Sequence, residues 1–263
     1  MSARARVIIC FILFALALGL HQTSNLVPNS NSSLGWVSTL ALLATAIIPF
    51  LFLRAEKLSF GQHGFVTPKG ARRLLTMSLF LAVLYCLIIL FVPGGASGFE
   101  ALPAVPLSWD LFFGGCSILL ASIAAETIFR GFVQTELTNV YEFFTALIVV
   151  SAMFTLYTLP ITLYFTSDSA TILGQLLPVF AESVFLCFLF TETKTLLCPI
   201  AFSATVTLLQ TFTPLQLPFG EYPTAVAVIT YAVLVLVMQS YVSHVKEHSW
   251  RLDEAPVEDS DQQ

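Results

Sequence analysis

LFFGGCSILLASIAAETIF, from Leu111 to Phe129, decides the fold. It is apolar almost throughout and holds one ionisable residue, Glu126. A helix rises about 1.5 Å per residue, so a run of this length suffices to cross a hydrocarbon core about 30 Å thick. The apolar residues are continuous and do not alternate, which excludes a barrel strand. In lipid every backbone group must then be paired within a helix.

Seven further stretches resemble it: Val7–Leu20, Trp36–Leu53, Leu74–Phe91, Phe143–Phe165, Ile172–Phe190, Leu196–Phe212 and Pro223–Tyr241. The pattern predicts an all-α polytopic membrane protein with about eight transmembrane helices. Composition agrees. Of 263 residues, 57% are apolar and 10% charged, against about 25% charged in soluble domains. Mean hydropathy is +0.86. So much apolar surface needs lipid as its solvent, which excludes a soluble globular protein, a disordered chain and a nucleic-acid-binding domain. The lipid bilayer is therefore one partner, and nucleic acid is not.

Placement of charge fixes the expected topology. Eight spans starting in the cytoplasm put Arg4, Arg6, Arg54, Lys57, Lys69, Arg72, Arg73, Arg130, Lys194, Lys246 and Arg251 on one side. These are all eleven basic residues. By the positive-inside rule the protein is an integral, multi-pass membrane protein with both termini cytoplasmic. Arg4 and Arg6 before a short apolar run also suit a signal peptide. No clear A-x-A site follows, which favours a retained first helix. Residues 1–252 read as a single transmembrane domain, and 253–263 as an acidic, disordered cytoplasmic tail. The expected outer loops are His21–Gly35, with a glycosylation-like Asn31-Ser32-Ser33, then Val92–Asp110, Thr166–Thr171 and Thr213–Tyr222.

The five cysteines, Cys10, Cys86, Cys116, Cys187 and Cys198, lie in or beside apolar stretches and read as buried small residues. No spacing suggests a metal site, and no cofactor is expected.

Ionisable residues within a span cost about 2.5–3.5 kcal/mol on insertion scales, so each needs a reason. Glu126 has Arg130 four residues on, which allows an intrahelical ion pair with the guanidinium reaching the headgroups. The other reading is a polar cavity open to the cytoplasm. Glu182, in the sixth span, has no charged neighbour within a turn. It serves either as a structural hydrogen-bonding group or as a site carboxylate. Thr155, Thr158, Thr162, Ser203, Thr205, Thr207 and Thr211 add hydroxyls that helices commonly satisfy internally. Pro160 and Pro199 are expected to kink or start helices.

The order of these residues resembles the CPBP superfamily, which includes type II CAAX prenyl endopeptidases and bacteriocin-processing proteins. Ala125-Glu126-Thr127-Ile128-Phe129-Arg130-Gly131 is similar to its Glu-Glu-x-x-x-Arg motif, with Ala125 at the first Glu. Gln134 and Leu137 fit the run that follows. Phe154 to Thr158 is similar to Phe-x-x-x-His, with Thr158 at the His. Thr191 to Ile200 resembles the turn before the third motif, His-x-x-x-Asn. There Ser203 stands at the His and Thr207 at the Asn. Gly64-Phe65-Val66-Thr67-Pro68 resembles an inner loop of the family. The family-like core spans about 54–212.

The resemblance implies an intramembrane protease fold with a degenerate active site. In active relatives a motif Glu activates water, while His and Asn side chains support the site. Of five such positions this chain keeps Glu126 and replaces the rest with Ala125, Thr158, Ser203 and Thr207. Glu126 is thus the one candidate catalytic residue, Ala125, Arg130, Thr158, Ser203 and Thr207 are motif-equivalent cavity positions, and Glu182 is a possible extra carboxylate. Adjacent helical residues point about 100° apart, so Glu126 does not simply replace the Glu missing at Ala125. Hydroxyls do not replace a general base or a metal ligand near neutral pH. The histidines, His21, His63, His244 and His248, lie outside the spans, which argues against zinc.

Three functions compete. The first is a catalytically inactive homologue that binds a membrane peptide, a lipid or a partner subunit in a polar intramembrane cavity. The second is an active endopeptidase with a divergent Glu126-based site. The third is an unrelated transporter or structural membrane subunit. Whether the chain is an enzyme stays open at this point, with the lost positions weighing against it.

Overall fold

The computed structural model describes residues 3–26, 43–44, 47–54, 57, 59–65, 67, 70–90, 109–165, 168–212 and 221–253. The helices are α1 (Ala3–Leu26), α2 (Ala71–Leu90), α3 (Trp109–Glu126), a π-helical segment (Thr127–Gln134), α4 (Thr135–Thr138), α5 (Phe143–Phe165), α6 (Ser169–Thr193), α7 (Leu197–Phe212) and α8 (Glu221–Asp253). Residues 47–54 are also helical. No strand occurs among the described residues.

The chain is an all-helical membrane protein. Five stretches are long and apolar enough to cross a membrane: Ala71–Ile89, Gly114–Thr138, Phe143–Pro160, Ser169–Thr193 and Thr224–Ser243. Ala5–Leu16 and Leu197–Gln210 are apolar but shorter. Half of the expected second span, Trp36–Leu53, lies outside the described residues. So do Asn31-Ser32-Ser33 and residues 254–263 of the tail.

Some boundaries differ from expectation. The first helix continues through His21 to Leu26, so the polar segment there begins as helix. The last continues to Asp253, well past Tyr241. Pro160 lies inside α5, Pro178 inside α6 and Pro199 in the first turn of α7. Four cysteines are buried as expected, but Cys116 is exposed.

The apolar interior has two clusters. One joins α2, α6, α7 and α8 through residues such as Leu81, Tyr85, Phe185, Phe202 and Tyr231. The other joins α1, the π segment and α5 through Cys10, Phe129, Phe132, Val150 and Tyr157. α6 belongs to both, giving Phe185, Leu186 and Leu189 to the first and Cys187 to the second. It is therefore the spine of the bundle. Large apolar side chains such as Phe80, Phe144, Ile229 and Leu236 remain exposed, as a lipid-facing surface requires.

Asp168 starts α6. Its Oδ2 accepts from the Thr171 N–H at 2.8 Å and from the Thr171 hydroxyl at 2.6 Å. These bonds hold the Asp168 carboxyl below its ordinary range. Lys194 ends α6 in the left-handed region, φ 54°, with its N–H on Phe190 O. The turn that follows meets the 59–65 loop, where the Leu196 N–H donates to Gly64 O at 3.0 Å. Gly131 permits this approach. A Cβ there would lie 3.0 Å from Leu196 Cδ1 and 3.3 Å from His63 O.

Candidate functional site

The helix carrying Glu126 does not keep α geometry. From Thr127 to Gln134 it widens to π, and all eight residues are buried. Single π turns recur at functional sites. This segment faces α6, and the two share a spacing of four. Arg130 meets Ser183, and Gln134 meets Cys187 and Thr191. The Arg130 Nη2 donates to Ser183 Oγ at 2.9 Å and Ser183 O at 3.4 Å. The Gln134 Nε2 donates to Cys187 O at 3.0 Å and Thr191 Oγ1 at 2.9 Å.

The pair of Glu126 and Arg130 forms as the sequence suggested. Nη1 donates to Oε1 at 3.4 Å, and Nε lies 3.3 Å from Oε2. That second approach is too poorly angled to hydrogen-bond, so Nε and Oε2 remain buried without partners. The expected headgroup contact of Arg130 is wrong. Its side chain is 0% exposed and that of Glu126 is 1% exposed. The π turn and α4 extend the helix beyond Arg130, so the guanidinium is inside the bundle and cannot reach an interface from there. Phe154 closes the other side, its ring centroid 4.4 Å from Arg130 Cζ. Phe154 also packs edge-on against Phe129 at 5.2 Å. Phe154→Leu is therefore expected to lower stability by about 1–2 kcal/mol, through loss of the cation–π and edge contacts. Thermal unfolding of the lipid-embedded protein checks this.

No hydrogen bond among the described residues joins Thr158, Ser203 or Thr207 to this pair. The α3–π helix does pack on both α5 and α7. Yet the Thr158 hydroxyl donates to Thr155 O at 2.9 Å and the Ser203 hydroxyl to Ile200 O at 3.4 Å, each within its own helix. Thr207 is exposed, and Ala125 is half-buried and packs against the apolar cluster around Phe129. Thr162 returns to Thr158 O, and Thr155 to Ser151 O.

Glu182 differs from its sequence reading. It has no charged neighbour in sequence, but the fold sets its carboxyl in electrostatic contact with both Glu126 and Arg130. Sequence spacing could not show this, because the groups sit on different helices.

A cavity of about 180 Å3 adjoins the motif helix, lined by Ile123, Thr127, Gly64, Phe65, Leu196, Ile200 and neighbours. It is mostly apolar, and Glu126 does not line it. No group of three His, Cys, Asp or Glu side chains is arranged to hold a metal among the described residues.

One comparison bears on the segment that carries these helices. The family model described as type II CAAX prenyl endopeptidase Rce1-like matches residues 107–209. Residues 107–209 are similar to that family. No curated protein matches the chain. The Rce1-like segment holds Glu126, Arg130, Phe154, Thr158, Glu182, Ser203 and Thr207. Within it, the motif residues that the chain keeps join helices. Arg130 ties the π segment to α6, Phe154 ties α5 to Arg130, and Gly131 admits the turn at Leu196. The replaced positions are those that the family resemblance assigns to chemistry.

Proposed function

We propose that this chain is a catalytically inactive Rce1-like membrane protein that binds a membrane peptide, a lipid or a partner subunit, with both termini cytoplasmic. One observation carries the reading. The single kept motif carboxylate, Glu126, is sealed from solvent against Arg130, while the hydroxyls at Thr158 and Ser203 bond their own helices. A general base must reach the water it activates, and donors must face the developing charge. This arrangement supports neither.

A second reading rests on the Glu182 carboxyl, which the fold brings near Glu126. Two neighbouring carboxylates would support proteolysis with a divergent site. The test uses purified full-length protein in lipid and a broad panel of prenylated and transmembrane peptides. No cleavage is expected. Cleavage that disappears in Glu182→Gln, with thermal unfolding unchanged, would establish the second reading.

A further inference from the structure

We propose that His63, Glu136 and Arg6 form a protonation-dependent clasp that holds the 59–65 loop over the cavity beside the motif helix. The proposal is independent of whether the chain retains proteolysis.

His63 sits in a loop, yet it is buried, with its side chain only 2% exposed. Its Nδ1 lies 2.7 Å from Ser59 O, an atom that only accepts, so Nδ1 carries a hydrogen. Its Nε2 lies 3.1 Å from Glu136 Oε1. The other Glu136 oxygen, Oε2, accepts from Arg6 Nη1 at 2.9 Å. A guanidinium at that distance favours an ionised Glu136. Nε2 must then also carry a hydrogen, and the ring is an imidazolium with both nitrogens donating. If the ring gives up that proton while keeping Nδ1–H, its Nε2 lone pair faces a carboxylate oxygen. The bond becomes a repulsion.

Groups around the imidazole come from each packed element. α1 supplies Arg6 and, near Glu136, Cys10. α4 supplies Glu136. The π segment supplies the Phe132 ring, stacked on His63 at 6.0 Å. On the other side the loop meets the turn after Lys194 through backbone, from Leu196 N to Gly64 O. Arg6 is 26% exposed, so protons reach the cluster from its outer edge.

The clasp has something to hold. Its neighbours Gly64 and Phe65 line the 180 Å3 cavity together with Ile123 and Thr127 of the motif helix. Two polar ties join this loop to the bundle among the described residues, the clasp and the bond from Leu196. The clasp is closed while imidazolium faces carboxylate. Removal of the proton on Nε2 opens it.

Hydrogen exchange of the full chain in lipid nanodiscs tests this at about pH 6 and about pH 8.5, after correction for the intrinsic pH dependence of exchange. On raising pH, protection of the 60–65 amides and of the Leu196 amide should fall about tenfold, as befits one charge-assisted bond. Amides of Phe185 to Leu189 should not change. His63→Gln should remove the pH response while leaving those α6 amides protected. Wild-type protection that is independent of pH would overturn the proposal without recourse to any variant. So would loss in the loop without loss at Leu196, or a pH response that survives His63→Gln.

Discussion

Arg130→Leu is expected to lower the stability of the folded protein by about 3–5 kcal/mol, the range for removing one partner of a buried ion pair. The guanidinium is fully buried and meets Glu126, both oxygens of Ser183 and the face of Phe154. Leucine replaces none of these contacts. It leaves the Glu126 carboxyl unpaired where neither water nor lipid headgroup reaches it, either as an isolated charge or, protonated, as an unsatisfied polar group. Neutralising both partners should undo part of the damage. The double variant Glu126→Gln/Arg130→Leu is expected to be more stable than Arg130→Leu alone, because no isolated charge remains. Thermal unfolding in one lipid composition measures all three proteins. A single variant as stable as the wild type would remove the pair from any account of the fold.

Gly64→Ala is expected to cost about 2–4 kcal/mol, combining left-handed strain with overpacking. The residue has φ +78°. A Cβ would lie 2.4 Å from Phe190 Cε2 and 3.2 Å from Leu196 Cγ. Phe190 is itself buried and ends the spine helix, so it has little room to yield. The loop must lift or Phe190 must leave its rotamer. Either change should lower the unfolding temperature and raise exchange at Leu196, and a variant with neither effect would show that the loop tolerates displacement. Gly70→Ala makes a useful comparison, since it shares the positive φ, +83°, but a Cβ there meets nothing within 4 Å.

Much of this architecture was legible in the chain. The apolar stretches located the helices because length and hydropathy decide what spans a bilayer. The motif resemblance fell within the segment 107–209 that the family model matches. Arg130 was misplaced because snorkelling is a rule about helix ends, and nothing in the letters showed that the helix goes on to Thr138. Glu182 was seen as a lone carboxylate, since its neighbours come from other helices. His63 and Glu136 were missed as a pair. One lies in a loop and the other, near a helix end, drew no notice as an ordinary polar residue. Burial of a loop histidine leaves no periodic signature. Thr158 and Ser203 illustrate the reverse case. They occupy motif positions on the expected helices, yet their hydroxyls bond their own backbone, and sequence position alone says nothing about rotamer.

The widened turn at Thr127–Gln134 has a bearing on how such chains are compared. A π turn holds about one residue more than an α turn of similar rise. A helical wheel drawn at constant pitch through 109–138 therefore loses phase by about 100° beyond Gln134. On such a wheel Glu136 would be assigned to the wrong face, away from His63 and Arg6. Two homologous chains could share every motif letter and differ only in whether this one residue is accommodated. They would then present their far helix ends to different neighbours. Angular phase is thus a heritable character of this helix, separate from the identity of any side chain on it.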